Sequence, residues 1–157
     1  YKSMFAELPS LFKESALVDR IHGFIKGWEI PPMKPELKVS GWALNTEYFC
    51  SILHLLRDDI SYRAIVDNLV QVSDGAYERH VEAVKRLTTA YLKLLFPNVR
   101  KTQDIERSLF KRYCLTPAIK MRSIIQKQLE ILDSDEYRKP TKQMPQFTLK
   151  EITHEEN

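Results

Sequence analysis

The stretch 81–97 reads VEAVKRLTTAYLKLLFP and has the clearest helical periodicity in the chain. Residues recurring three and four positions apart fall on one face of an α-helix. In this stretch they are Val81, Val84, Thr88, Tyr91, Leu92 and Leu95. Pro97 ends the pattern, because proline lacks an amide hydrogen and clashes with the preceding helical turn. The stretch therefore predicts an amphipathic helix of about four turns with one buried face.

Two more helices are predicted before this stretch. Asn45 is the expected N-cap of the first, because its side chain can accept a hydrogen bond from an amide of the first turn. Asp58 and Asp59 are expected to close that helix. The apolar face of the shorter second helix is expected to contain Ile65, Leu69 and Val72. Ser73-Asp74-Gly75 predicts a turn between antiparallel helices, with Ser73 or Asp74 capping the next one.

Two further helices are predicted after it. Thr102 is expected to cap one of them. Thr116 and Pro117 combine a hydroxyl N-cap with a proline at the first helical position, so they predict the start of the last helix, which extends to about Asp133. One shared core is expected to contain Phe49, Ile52, Leu56, Val84, Leu92, Ile125 and Leu129. The region between Asn45 and Asp133 is thus predicted to be a small helical bundle, and the fold class all-α.

The two ends of the chain have a different character. Residues 11–21 predict a short helix, and residues 22–30 alternate and contain aromatic and β-branched residues, which is typical of a strand. A lone strand is unstable, so its partners are expected in an α/β core outside this chain. Residues 139–157 are polar and proline-punctuated, and indicate either a linker or a strand that belongs to something else. Their alternating apolar residues are Phe147, Leu149 and Ile152.

Composition limits the class of protein. Of 157 residues, 43% are hydrophobic and 29% charged, which is typical of a soluble globular domain. The sequence has no apolar run of membrane-spanning length, no signal-peptide pattern and two distant cysteines, so a cytoplasmic location without membrane contact is expected. Because it opens at Tyr1, the chain is expected to be a segment of a longer protein. A net charge of +3 permits an acidic partner such as nucleic acid without requiring one.

The common catalytic motifs are absent from the sequence. There is no GxxxxGKS or GxxxxGKT phosphate loop, so the chain by itself is not expected to bind a nucleoside triphosphate in that manner. The histidines lack the spacing of a zinc site and are expected to be structural or surface residues, so no metal site is predicted. These histidines are His22, His54, His80 and His154.

Two arginines stand out on physical grounds. Arg20 lies at the end of the predicted first helix, directly before the predicted strand. Arg122 occupies the apolar stripe of the last helix, between Ala118 and Ile125. A buried charge requires a compensating partner, and phosphate fits a guanidinium well. The alternatives for Arg122 are a side chain whose head reaches water, or one paired with Asp or Glu.

Three parts of the chain resemble one protein family. The run 17–31, LVDRIHGFIKGWEIP, closely resembles a signature of the Lon-like AAA+ ATPases of bacterial BREX phage-defence systems, which are also described as ATP-dependent Lon proteases. The resemblance continues through LLFP at 94–97 and AIKMRSIIQKQL at 118–129, and covers most of residues 12–132. Lys26 stands where proline is expected.

The resemblance implies that the chain is the end of an AAA+ ATPase module. Residues 1–40 would be the end of the ATPase core, residues 41–133 the helical lid, and residues 134–157 a linker or tail toward a C-terminal protease-like domain. Such a lid couples nucleotide state to subunit movement in a ring of identical subunits. ATP and Mg²⁺ would be cofactors of the full-length parent, whose substrate would be protein or DNA, and not of the isolated chain. Peptidase activity would also belong to residues outside this chain.

The resemblance also implies roles for both arginines. Arg20 matches the arginine finger, a catalytic residue that reaches the γ-phosphate bound by the neighbouring subunit. Arg122 matches the sensor-2 arginine, which contacts nucleotide bound by its own subunit. Each role places a fixed positive charge where negative charge must be stabilised.

A helical nucleic-acid-binding module is the alternative interpretation. Its support is a basic stretch with interleaved aromatic residues. The stretch contains Arg100, Lys101, Arg107, Phe110, Lys111, Arg112, Tyr113, Lys120 and Lys127. Acidic residues such as Asp104 and Glu106 interrupt it, and basic helix surfaces are usually solvated faces.

We predict that the isolated chain neither binds ATP tightly nor hydrolyses it. The sequence lacks the phosphate loop that normally supplies most phosphate contacts. Isothermal titration calorimetry with ATP and Mg²⁺ should show no binding in the micromolar range. Stoichiometric tight binding would contradict the assignment to a lid.

Overall fold

The computed structural model describes residues 3–151, which are mostly helical with one two-stranded sheet. The helices are α1 (Ser15–Val18), α2 (Thr46–Arg57), α3 (Ser61–Leu69), α4 (Glu78–Leu95), α5 (Arg107–Phe110), α6 (Thr116–Leu132) and α7 (Ser134–Tyr137). The strands are β1 (Val70–Val72) and β2 (Phe147–Leu149). The predicted all-α class, a small helical bundle, is confirmed. Across this part of the chain, no helix has both the length and the apolar character that a membrane span requires.

The chain divides into two compact units. One contains the described residues up to Phe24 together with those from Ser61 onwards, and the other is Ile25–Ile60. The first unit has a well-packed core formed by α3, α4, α6 and the turn that precedes α6. Its fully buried residues include Val66, Val84, Leu92, Phe110, Cys114, Ala118, Ile125 and Leu129. The four core positions predicted on α4 and α6 are therefore confirmed.

The Ile25–Ile60 unit contains α2, which begins as predicted. The Asn45 side chain accepts hydrogen bonds from the backbone amides of Glu47 at 2.9 Å and Tyr48 at 3.1 Å. No residue of α2 is buried, however, and Phe49 and Ile52 are exposed. The expectation that Phe49 and Ile52 are core residues is therefore wrong. Helical periodicity shows that a helix has an apolar face, but it does not show what covers that face.

The strand predicted at residues 22–30 is not formed. Residues 21–26 have no regular structure, and a single 3₁₀ turn spans Gly27–Glu29. Within residues 21–26, Phe24 makes a tertiary contact in place of strand pairing. Its ring meets that of Phe5 edge-on, with 5.8 Å between the ring centres. Residues 11–21 are helical in two short pieces, a 3₁₀ turn at Ser10–Lys13 and then α1.

A short antiparallel sheet connects α3 with the end of the chain. Val70 pairs with Leu149 and Val72 with Phe147, so residue 72 belongs to a strand and not to the predicted helix. The alternating residues 147 and 149 thus form a strand whose partner lies within this chain, while Ile152 lies outside the described residues. The turn after β1 uses Gly75 at φ 68°, a conformation that favours glycine. Neither Ser73 nor Asp74 caps α4, which begins at Glu78 after Tyr77.

The last long helix begins earlier than predicted. Thr116, the expected N-cap, has helical dihedral angles of φ −61° and ψ −45°. A π-helical turn, Lys111–Leu115, joins α5 to α6, so the backbone stays helical from Arg107 to Leu132. In a regular α-helix the ring of Pro117 would collide with the carbonyl four residues earlier, and the wider π-turn provides room for it. Thr102 begins only a single 3₁₀ turn, Thr102–Asp104.

Gly23, in the irregular segment 21–26, lies close against the helices. A Cβ atom at Gly23 would lie 2.9 Å from the Cβ of Met121 and 3.0 Å from the Cδ1 of Leu87. We predict that Gly23→Ala lowers the free energy of unfolding by about 1–3 kcal/mol, the usual effect of overpacking. Urea denaturation of the chain measures this change.

Gly27→Ala is the matched control. A Cβ atom at Gly27 would meet no heavy atom within 4 Å, so its effect should stay within about 0.5 kcal/mol. Equal effects of the two substitutions would contradict the close approach at Gly23.

Candidate functional site

Arg122 lies at the centre of the candidate site. It belongs to α6 and has an exposure of 0%, on the helical face that also buries Ala118 and Ile125. The predicted position of an arginine within this apolar stripe is therefore confirmed. A buried guanidinium must exchange its water contacts for partners within the protein.

All three guanidinium nitrogens of Arg122 donate hydrogen bonds to the protein. The Nε atom donates to Nδ1 of His80 at 2.9 Å, and Nη2 donates to Oδ1 of Asp19 at 2.7 Å. The Nη1 atom donates to two backbone carbonyls, those of Asp19 at 3.1 Å and of Ile21. Of the alternatives left open by the sequence, pairing with an acidic residue is the one observed.

Asp19 is the acidic partner, and its side chain is buried as completely as that of Arg122. Its Oδ2 atom accepts hydrogen bonds from the Tyr77 hydroxyl and from Nη1 of Arg79, both at 2.6 Å. Burial alone raises the pKa of Asp19, but the hydrogen bonds from Tyr77, Arg79 and Arg122 outweigh it and lower the pKa below its ordinary value. Asp19 is therefore ionised at neutral pH.

His80 completes the network in its neutral form. Its Nε2 atom lies 2.9 Å from the carbonyl of Lys142 and donates to it, so Nδ1 is free to accept from Arg122. Burial, and secondarily the charge of Arg122, lower the pKa of His80. The Tyr77 ring packs edge-on against His80 at 5.3 Å. The expectation that His80 is structural is consistent with these contacts.

Arg20, the residue after Asp19 in the chain, is exposed. Its guanidinium donates to the backbone carbonyl of Ala16. Among residues 3–151, no carboxylate lies within 4.0 Å of its charged nitrogens. The structure thus brings Arg122 of α6 to the segment that contains Arg20. The two carbonyls that Arg122 binds belong to Asp19 and Ile21, the residues on either side of Arg20.

An open cleft of about 230 Å³, the Arg20 cleft, surrounds this side chain. It is lined by Asp19, Arg20, His22, Arg79, Glu82, Ala83 and Arg86. Arg79 is paired with Asp19, and Arg86 with Glu82 at 2.6 Å. Hydrogen bonds from Arg63 lower the pKa of Glu82 to about 2, so Glu82 is ionised and its charge is shared by Arg63 and Arg86. Arg20 differs from Arg79 and Arg86 in this cleft, because no carboxylate among residues 3–151 pairs with it.

The basic stretch of the alternative interpretation has one exposed aromatic residue and not two. Phe110 has an exposure of 0% and belongs to the core, whereas Tyr113 is exposed and carries the Arg112 guanidinium 5.2 Å from its ring centre. Arg100 donates to the Tyr62 hydroxyl at 2.7 Å. Stacking on nucleic-acid bases requires accessible rings, so Phe110 cannot contribute to it.

No group of three or more potential metal ligands occurs within residues 3–151. Cys114 is buried, and burial raises its pKa to about 12, which keeps it an unreactive thiol.

Sequence reasoning missed Asp19, Tyr77 and His80 as members of the site. One signal was present: an arginine in an apolar stripe requires an acid, and Asp19 lies inside the run 17–31 directly before Arg20. Tyr77 and His80 gave no comparable signal in the sequence. Only tertiary packing brings Tyr77 to Asp19 and His80 to Arg122.

Comparison with known proteins gives three matches. A family model described as "Lon-like protease BrxL-like, ATPase domain" matches residues 1–143. A Lon-like protease BrxL from Escherichia coli O9:H4 (strain HS) is 30% identical over 135 residues, which are 85% of this chain and 18% of that protein. A Lon-like protease BrxL from Bacillus cereus (strain H3081.97) is 33% identical over 103 residues, which are 65% of this chain and 15% of that protein. The chain therefore spans less than a fifth of the length of these relatives.

We predict that the chain loses stability as the pH falls below about 6.5, the ordinary pKa of histidine. The pKa of His80 is lowered in the folded state, so below that pH the unfolded chain binds a proton that the folded chain does not. His22, whose pKa burial also lowers, acts in the same direction. Replacing His80 with Gln should reduce the slope of unfolding free energy against pH, measured by urea denaturation between about pH 5 and pH 8.

His54→Gln, at an exposed position of α2, serves as the control for this experiment and should leave the slope unchanged. An unchanged slope in His80→Gln would show that His80 is not held neutral by its surroundings.

Proposed function

This chain belongs to the family of BrxL-like, Lon-like proteases, to whose ATPase domain it corresponds, and we propose that it supplies the helical lid and the arginine finger of that ATPase. The finger is Arg20. In this proposal the longer protein forms a ring, ATP and Mg²⁺ are bound by parts of it outside this chain, and the lid couples nucleotide state to subunit movement. The substrate of the motor, protein or DNA, is also handled by the longer protein.

One observation carries the assignment of Arg20. Within the run 17–24 it is the one exposed residue, whereas Val18 and Asp19 are buried and Gly23 packs closely against Met121. The run therefore holds a single guanidinium in place on a firmly packed segment. A finger needs this combination, because the charge must reach a phosphate on another subunit without a large loss of entropy on ordering.

The present partner of Arg20 is compatible with this role. A neutral carbonyl, that of Ala16, competes weakly with a phosphate for a guanidinium. A carboxylate partner would instead neutralise the charge before it could stabilise a transition state.

The predicted contact of Arg122 with nucleotide in its own subunit stays a prediction. For this contact Arg122 would have to release hydrogen bonds to His80, to the Asp19 carboxylate and to two carbonyls. Breaking one side of a buried ion pair costs about 3–5 kcal/mol, which the nucleotide would have to offset.

We predict that Arg20→Ala in the full-length ATPase lowers hydrolysis about 10³-fold or more, the scale for losing an arginine finger. Folding and ATP binding should stay nearly intact, because Arg20 contributes little to its own domain's packing. Turnover, ATP affinity and thermal unfolding are measured together. Arg138→Ala, at another exposed arginine, is the control and should retain activity.

A mixing experiment tests whether Arg20 acts on the neighbouring subunit. Subunits with Arg20→Ala are co-assembled with subunits whose nucleotide site is inactivated outside this chain. Activity should return, because one kind of subunit supplies the finger and the other the intact site. Inactive assemblies that contain both kinds of subunit, or unfolding of Arg20→Ala, would make Arg20 a structural residue.

A further inference from the structure

Arg122 binds the backbone on both sides of Arg20. Its Nη1 atom donates to the carbonyls of Asp19 and Ile21, and its Nη2 atom donates to the Asp19 carboxylate. We propose that Arg122 is a positioning residue for Arg20: it fixes the peptide from which the finger projects, and thereby acts on the nucleotide site of the neighbouring subunit. This inference rests on the proposed role of Arg20.

The chemistry of this contact requires a guanidinium. Two carbonyls and one carboxylate oxygen are bound at once by donors that lie in a single plane, so the segment is fixed in direction as well as in place. A lysine at position 122 would present one point charge on a flexible chain and would satisfy the carboxylate of Asp19 without holding both carbonyls.

The other nitrogen of Arg122 fixes the orientation of its guanidinium. Nε donates to His80, which in turn donates to the carbonyl of Lys142. The far oxygen of Asp19 is held by Tyr77 and Arg79. The peptide at Arg20 is therefore fixed relative to α4 and α6 by buried hydrogen bonds, which are stronger in the dry interior than in water.

The geometry separates this role from a contact with nucleotide. A guanidinium that binds the carbonyls at residues 19 and 21 has its donors engaged and is wholly buried. Because Arg122 belongs to α6, a movement of α6 would displace the peptide that contains Arg20 through these hydrogen bonds. The position of the lid helix in one subunit would then set the reach of the finger into the next.

The test uses Arg122→Lys in the full-length ATPase. This variant keeps a positive charge for the Asp19 carboxylate and loses the planar donors. Hydrolysis should fall about 10²-fold, the scale for a reacting group displaced by about an ångström. ATP affinity should change less than about twofold, because the variant's own nucleotide site is intact; tenfold weaker ATP binding would favour the nucleotide contact instead.

Mixed assemblies then show on which subunit Arg122 acts. Arg122→Lys subunits are co-assembled with subunits that have an inactivated nucleotide site and an intact finger. If Arg122 positions the finger, hydrolysis recovers to the level reached with Arg20→Ala subunits. A contact between Arg122 and its own nucleotide predicts no recovery, because both kinds of subunit would then have a defective site.

The parallel mixture with Arg20→Ala distinguishes the two ways of failing. Recovery with Arg20→Ala and none with Arg122→Lys overturns the positioning role and leaves the finger in place. No recovery with either overturns the finger, and the positioning role with it.

Two controls separate positioning from stability. Val66→Ala creates a cavity at a fully buried site that does not line the Arg20 cleft, and should retain turnover in its folded fraction. Glu78→Gln removes an exposed charge from α4 and should have no effect. If Arg122→Lys does not fold, Asp19→Asn replaces it, since it weakens the same contact from the other side and should show the same recovery on mixing. Absence of recovery in Asp19→Asn as well would overturn the proposal.

Discussion

The first structural unit depends on one buried ion pair. Asp19 and Arg122 are 103 positions apart and fully enclosed, and each compensates the buried charge of the other. Their pairing connects the segment after α1 to α6. Gly23 and Phe24 are then placed against the helices and the ring of Phe5. An ion pair of this kind adds little net stability. It favours the one placement of the segment that pairs the two charges over other placements that would bury similar apolar surface.

Hydrogen bonding keeps the pair compatible with burial. Tyr77 and Arg79 bind the second oxygen of Asp19, and a neutral His80 accepts from the remaining nitrogen of Arg122. Burial lowers the pKa of His80, and the neighbouring charge of Arg122 lowers it further, because a protonated His80 would place two cations side by side. These hydrogen bonds connect α4, as well as α6, to the segment that contains Asp19. The exposed Arg20 therefore projects from a peptide that two helices hold in place.

Local patterns in the sequence predicted what is local in the structure. The helices, the cap at Asn45 and the core positions of α4 and α6 follow from spacing within one turn or a few. The pairing of β1 with β2 was not predicted, because it joins residues more than seventy positions apart and leaves no periodic trace. The pairing of Arg122 with Asp19 was left as one of several alternatives, since periodicity does not show which distant acid meets a buried arginine. The strand expected at residues 22–30 was wrong, because residues 21–26 have no regular structure and Phe24 packs against Phe5 instead. The ATPase roles proposed for Arg20 and Arg122 came from family resemblance, and the structure adds the hydrogen bonds that relate the two residues.

The π-turn at Lys111–Leu115 has a consequence for how this sequence can change over time. Phe110 and Ala118 are both fully buried, yet eight residues in a regular helix would place them about 80° apart. The turn absorbs one extra residue and restores a common face. Losing that residue would keep the two faces in phase but return Pro117 to the carbonyl it now avoids. Pro117 therefore constrains the π-turn, because a lineage could lose the extra residue only if the proline were replaced as well.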